Sequence, residues 1–269
     1  MRNSLARQDT PPIQSLDRGL MILEALVQST DPVPLSEFAK LLDVDHSSAF
    51  RLANTLRRRG FVAYLPDRKA YVLGSSIWRI SHQYDWGTML IRVSREQLKL
   101  LASNAQNTAH LAIREGKQAL FIDHAVANSV ITVTGRAGEL IPLHCTAHGK
   151  ALLAHSSPAE LKSICGREPF KAFTKQTSST LEQLTKACAR ARADGFAVDD
   201  GEYLEGIRCI AAPIRAESGV TVGSIGISAP MERLPKDRYR VFGEQVAGAA
   251  EQIGKILIAN AEAKSLAGD

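Results

Sequence analysis

The chain is 269 residues long, 45% hydrophobic and 23% charged, with a formal net charge of +5. That length suits a small module beside a larger one, and no low-complexity tract interrupts it. The basic excess permits an anionic partner without requiring one.

The four cysteines, Cys145, Cys165, Cys188 and Cys209, form no C-x-x-C pair, which argues against a structural zinc knuckle. The N-terminal MRNSLARQDTPPIQ has no apolar signal-peptide core, and no apolar stretch reaches about 18 residues. A cytoplasmic protein with no membrane segment is therefore expected, and nothing in the sequence asks for a cofactor.

In chain order, residues 1–14 read as a disordered arm ending at Pro11-Pro12. SLDRGLMILEALVQS then reads as an amphipathic helix, with Ser15 as N-cap, Asp17 in the first turn and an apolar stripe of Leu16, Leu20, Leu23 and Val27. DPVP breaks it. LSEFAKLLD starts a second helix at Ser36, with Phe38, Leu41 and Leu42 on one side.

After a turn at Asp43 and Val44 comes DHSSAFRLANTLRRRG, residues 45–60. Asp45 is the expected N-cap, Ala49, Leu52, Ala53 and Leu56 the buried side, and Gly60 the stop. The opposite stripe is Ser47, Arg51, Asn54 and Arg58, flanked by His46, Ser48 and Phe50. Every polar group on it can donate a hydrogen bond. FVAYL and AYVLG follow as two strands around the turn PDRK, which carries Arg68 and Lys69.

Helix, helix, short turn, helix and basic hairpin is the order of a winged helix-turn-helix, whose third helix enters a DNA major groove. On that reading double-stranded DNA is the partner. Arg51 suits guanine, Asn54 adenine and Phe50 a thymine methyl, while His46, Ser47 and Ser48 reach base edges or phosphates. Arg58, Arg68, Lys69 and the arm residues Arg2 and Arg7 suit backbone phosphates. Residues 1–74 hold ten Lys and Arg against eight Asp and Glu, a net of +2, so element order carries this reading and charge does not. Arg57, Arg58 and Arg59 would complement a helix dipole in any protein.

A linker helix over 75–90 is expected next, with a break near Trp86-Gly87. Beyond it strands are expected at TAHLAIRE, QALFIDHAV, VITVT, FAVDD, IRCIAAPIRA and VTVGSIGISAP. Helices are expected at 147–155, 158–165 and 180–194, and from Lys236 to Leu266 with Phe242, Val246, Ala249, Ile253 and Leu257 on one side. The fold class is α+β, with domains at 15–74 and 91–269.

In LHCTAHGKALL, Thr146 is a plausible N-cap, leaving the N–H groups of Ala147 and His148 to meet an anion. An enzyme is the alternative, since His144, Cys145 and His148 with His110, His124 or Asp199 could hold a metal or form a Cys-His pair. No H-E-x-x-H, phosphate loop or G-x-S-x-G elbow supports it, so a non-enzyme is expected. A second alternative is a small-molecule sensor whose winged domain binds protein.

From residue 15 onward the chain resembles the IclR family of bacterial transcriptional regulators. The resemblance is carried by SLDRGLMILEAL, LSEFAKLLDVDHSSAFRLANTLRRRGFV, YVLG, IPLHCTAHGKALLA, GFAVDDGEYLEGIRCIAAPI and GSIGISAP in that order. It implies a GAF-like effector-binding domain joined by a linker helix to the DNA-binding domain, a homodimer or homotetramer, and a small organic acid as effector.

Carried over by motif, the effector positions are Ala147, His148, Asp199, Cys209, Gly226 and Ser228. Val133, Leu140 and Leu143 are candidate apolar walls. His148 is bulkier than the usual small residue and Gly226 stands where a serine is usual. An enlarged site with a cationic imidazole is expected from these departures, and with it an aromatic or hydroxylated acid in place of glyoxylate or pyruvate.

Overall fold

The computed structural model describes residues 13–81, 85–127, 133 and 135–266, excluding the side chains of 81, 85, 86 and 260–266. The expected arm with Arg2 and Arg7, and most of the VITVT segment, lie outside these residues. The chain divides into two compact units, residues 1–85 and 86–269.

The first unit holds α1 (Gln14–Gln28), β1 (Val33–Pro34), α2 (Leu35–Leu42), α3 (His46–Arg58), β2 (Val62–Leu65), a 3-10 turn (Pro66–Arg68) and β3 (Ala70–Leu73). The strands form an antiparallel sheet in the order β1-β3-β2. Val33 and Pro34 pair with Tyr71 and Ala70, so the DPVP segment adds a strand and does not merely break a helix.

One core serves all three helices. Ile22 and Leu26 of α1, Phe38, Ala39 and Leu42 of α2, and Ala49 and Ala53 of α3 pack with Val33, Val62 and Tyr71. This corrects two apolar faces. Leu16, Leu20 and Val27 are exposed, because α1 turns its second apolar row, Ile22 and Leu26, inward; Leu41 is likewise exposed and Ala39 takes its place. Ser15 lies inside α1, and Ile13 precedes the helix without a side-chain cap.

The third helix is capped as its sequence requires. Asp45 Oδ1 accepts from the N–H groups of Ser47 and Ser48 at 2.8 and 3.0 Å. Gly60 ends the segment at φ +76°, where a Cβ would also lie 2.7 Å from Ser76 Oγ, so both conformation and space call for glycine.

Helices α4 (Ser75–Ser81) and α5 (Asp85–Ala105) flank residues 82–84, and Trp86 and Gly87 lie within α5 and not at a break. The second unit continues with β4 (Thr108–Glu115), β5 (Gln118–Val126), β6 (Leu140–Pro142), α6 (Ala147–Leu153), α7 (Pro158–Cys165) and α8 (Leu181–Asp194). It ends with β7 (Ala197–Asp200), β8 (Ile207–Arg215), β9 (Thr221–Pro230) and α9 (Tyr239–Leu266). The sheet is antiparallel in the order β6-β5-β4-β9-β8-β7.

Strand alternation sorts its two faces. Ala109, Leu111, Ile210, Ala212, Ile225 and Ile227 pack with the apolar sides of α5 and α9, including Phe242, Val246, Ala249, Ile253 and Leu257. On the other face Ala147 and Ala151 of α6 and Ala191 of α8 meet Ala197 and Ala211. The small residues let α6 lie close to the sheet, and the cavity described below opens at its start.

Candidate functional sites

In the first unit, α3 presents one polar face. His46, Ser47, Arg51 and Arg58 are exposed, Ser48 and Asn54 are half-buried, and Arg68 and Lys69 are exposed in the turn between β2 and β3. Phe50 is 49% exposed, so its ring has surface to offer a partner. Two side chains are already engaged. The Ser48 hydroxyl donates to Asp45 Oδ2 at 2.7 Å, which makes it part of the cap, and Arg57 donates to Asn54 Oδ1 through Nε and Nη2. Arg57, absent from the sequence reading of the groove face, therefore orients one of that face's base-reading candidates.

In the second unit, a cavity of about 70 Å³ is lined by His110, Phe121, Val133, Gly135, Glu139, Ile141, Thr146, Ala147, His148, Asp199, Tyr203, Leu204, Ile207, Cys209 and Ser228. It brings together Val133, Ala147, His148, Asp199, Cys209 and Ser228 of the nine sequence candidates. Leu140, on the edge strand β6, is 45% exposed. Leu143 is buried among Ile141, Leu152 and Leu153 in a separate core.

Gly226 does not line the cavity either. A Cβ there would lie 2.4 Å from Ile210 O and 2.7 Å from Ala211 Cβ, so glycine is required by the close approach of β8, and its lack of a hydroxyl does not enlarge the site.

The polar atoms of the cavity form two short chains. Gly135 N–H donates to His110 Nε2 at 3.1 Å, and His110 Nδ1 lies 3.4 Å from Ser228 Oγ. Cys209 Sγ donates to the same oxygen at 3.2 Å. His148 Nδ1 lies 2.9 Å from Ser224 Oγ, while its Nε2 is buried without a hydrogen-bond partner.

Burial pushes His148 down to about 3 and His110 down to about 4, with His110 adding to the first shift and His124 to the second. Both rings are neutral at physiological pH, which removes the expected cation at 148. With neither an enlarged pocket nor a cation, the basis for expecting an aromatic or hydroxylated acid falls away.

Asp199 is buried beside them. Its Oδ1 accepts from Glu202 N–H at 2.7 Å, and burial pushes its carboxyl up to about 7 against the opposing pull of Lys150. Lys150, buried in α6, donates to Val198 O at 2.5 Å and pairs with Glu202. The pair ties α6 to the turn that follows β7, whose Asp199 and Tyr203 line the cavity.

Thr146 caps α6 by accepting Gly149 N–H at 3.0 Å. A Cβ at Gly149 would lie 2.2 Å from Leu143 O, which explains the glycine one turn into the helix. Phe121, Glu139, Tyr203, Leu204 and Ile207 were missed by sequence reasoning, and His110 was named only for a metal site or Cys-His pair and not as an effector position. The one available signal was a histidine on the face of TAHLAIRE opposite Ala109 and Leu111.

Of the enzyme constellation, His110, His148 and Asp199 share the cavity, whereas His144 and Cys145 do not line it. His144 Nε2 contacts Lys171 O at 3.0 Å, and burial pushes the thiols of Cys145 and Cys209 up to about 12, far from a reactive thiolate. Among the described residues, no group of three or more His, Cys, Asp or Glu side chains is placed to hold a metal ion, and no helix is long and apolar enough to cross a membrane.

A helix-turn-helix unit followed by a sensor unit with an internal cavity defines a ligand-responsive regulator. Residues 15–66 match the IclR helix-turn-helix domain and residues 82–255 the bacterial transcriptional regulator IclR C-terminal domain. The chain belongs to the IclR family of bacterial transcriptional regulators.

Among its relatives, the HTH-type transcriptional repressor AllR of Salmonella typhi is 31% identical over 244 residues, 91% of this chain and 90% of the relative. Transcriptional repressor IclR of Escherichia coli (strain K12) is 28% identical over 246 residues, with 91% and 90% covered. The solved IclR of Thermotoga maritima superposes with a TM-score of 0.71 at 25% identity, covering 91% of this chain and 99% of that one. An IclR regulator of Alicyclobacillus acidocaldarius shares the fold with a TM-score of 0.77 at 20% identity, with 91% and 99% covered.

Proposed function

We propose that this regulator binds palindromic operator DNA as a homodimer, or as a homotetramer built from dimers, and that a small organic acid in the cavity of the second unit modulates binding. The observation that carries the DNA half is the exposed donor face of α3, with Arg51 and Asn54 one turn apart and Arg68 and Lys69 in the adjacent hairpin. One such helix offers too small an interface for high specificity, so two copies related by a twofold axis are expected to read two half-sites.

The acid half is supported by a cavity that sets Ser228, Cys209 and the neutral rings of His110 and His148 beside the carboxyls of Asp199 and Glu139 and against the apolar Phe121, Ile141 and Ile207. Ala147, His148, Asp199, Cys209 and Ser228 are the residues proposed to meet it. An acid that prefers one arrangement of the sensor units shifts operator affinity only by its differential affinity for the arrangements.

A gel shift with the DNA upstream of the protein's own gene, with and without a panel of small carboxylic acids, tests both halves. The expected result is a retarded complex whose stability changes with one class of acid. Asp199→Ala should leave the complex intact and blunt that change.

A further inference from the structure

The end of α3 lies against the start of α4. Phe61 N–H donates to Leu56 O and Gly60 N–H to Arg57 O, both at 2.9 Å, the paired bonds of a Schellman closure. The next two carbonyls are met from α4. Ser76 Oγ donates to Arg59 O at 2.9 Å. Ser76 N–H, a first-turn donor for which α4 has no intrahelical acceptor, donates to Gly60 O at 2.9 Å.

The joint is tight as well as bonded. Ser76 is 3% exposed, and Gly74 N–H donates to Phe61 O at 2.8 Å. A Cβ at Gly74 would lie 2.2 Å from Gly60 O, and one at Gly60 2.7 Å from Ser76 Oγ. A side chain at 74 would therefore strike the backbone that ends α3, and one at 60 would displace the Ser76 hydroxyl. Arg79, exposed on α4, donates through Nη2 to Ser76 Oγ at 3.0 Å. With the guanidinium on the oxygen's acceptor side, the hydroxyl hydrogen is turned to Arg59 O. One buried serine thus closes, by side chain and by backbone, the end of the helix that carries Arg57, Arg58 and Arg59.

The chain runs from α4 through residues 82–84 into α5, which belongs to the second unit from Trp86 onward. We infer that Ser76 is a positioning residue for DNA reading: it locks α3 to α4 so that the two helices move as one body, and a displacement of the linker helix reaches the arginines at the end of α3. This inference rests on the reading that α3 reads DNA.

Amide hydrogen exchange of the full chain tests the lock without DNA. In wild type the amides at 60, 61 and 76 should exchange together, as one cooperative unit. Ser76→Ala should speed them by about fivefold, the effect of one hydrogen bond. Arg79→Ala, a change at an exposed position, should speed the same amides and serves if Ser76→Ala disturbs folding. Binding to duplexes that wild type selects from random sequence tests the role. Well below its unfolding transition, Ser76→Ala should bind them about fivefold more weakly and with a reduced salt dependence, because the arginines of the last turn lose their fixed placement. A purely structural serine would lower thermal stability and leave both binding readouts unchanged.

Independent exchange at 60–61 and at 76 in wild type, unchanged rates in both variants, or wild-type affinity and salt dependence in Ser76→Ala each overturn the inference and leave DNA reading by α3 standing. Failure of wild type to select any duplex overturns that reading, and the positioning role with it.

Discussion

Arg57 donates to Asn54 Oδ1 through both Nε and Nη2, at 3.2 and 3.0 Å. Spaced three residues apart on α3, the two side chains are neighbours on the helix surface. The guanidinium fork fixes the amide plane and leaves the Asn54 NH₂ group to a partner. The NH₂ held in this way can donate to a base acceptor such as a purine N7, so Arg57 pre-orients it. Arg57→Ala should lower discrimination at the base read by Asn54 by about 1 kcal/mol, less than the loss in Asn54→Ala. Affinities for operator duplexes substituted at single positions would reveal it. A uniform loss over all sequences would make Arg57 a phosphate contact alone.

Arg51 and Arg68 should separate in the same assay. Arg51→Ala is expected to relax preference at one position of each half-site, at about 1–3 kcal/mol, whereas Arg68→Ala should weaken binding to every sequence and reduce the salt dependence. Footprints of both variants identical to wild type would remove α3 from the groove.

The sensor cavity should respond to pH through Asp199. Around its carboxyl stand Lys150, Glu202, Tyr203, Cys145, Cys209 and Tyr239. Burial holds Asp199 at about 7, whereas His148 and His110 stay neutral until about 3 and about 4. An anion bound beside Asp199 favours its protonated form, so affinity for an acid should rise as the pH falls from 8 to 6, by at most about tenfold per unit for one proton. Asp199→Asn should flatten the profile.

The same shifts act on stability with opposite signs. Asp199 binds its proton more tightly folded than unfolded, so its penalty is relieved as the pH falls through 7. The histidines cost stability below about 6.5, where unfolded imidazoles charge and the buried ones do not.

What was legible in the sequence follows the range of the forces involved. Asp45 as cap, Gly60 as stop and the buried Ala49 and Ala53 are decided within a few residues, and α3 could be read from them. The two-residue strand at Val33 could not, because its pairing with Tyr71 is a long-range contact. Periodicity found apolar rows on α1 but could not choose between Leu16, Leu20 and Val27 and the inward row of Ile22 and Leu26. The cavity suffered most, since the pairing of β4 with β9 is what brings the His110 ring within reach of the Ser228 hydroxyl, 118 positions away. Motif matching gave Asp199 and Ser228 and also misplaced Gly226.

Gly226→Ser tests that last point. With Ile210 O 2.4 Å from the added Cβ, the change should cost about 1–3 kcal/mol of stability in urea denaturation. Unchanged stability with altered acid selectivity would return residue 226 to the cavity wall.

The central claim is that α3 reads DNA under the control of the sensor unit, and selection of binding sites from random duplexes by the purified chain at low ionic strength tests it most directly. Recovery of a palindromic consensus by wild type, degraded at one position per half-site in Arg51→Ala, is the predicted result. Failure to retain duplex DNA of any sequence would contradict it.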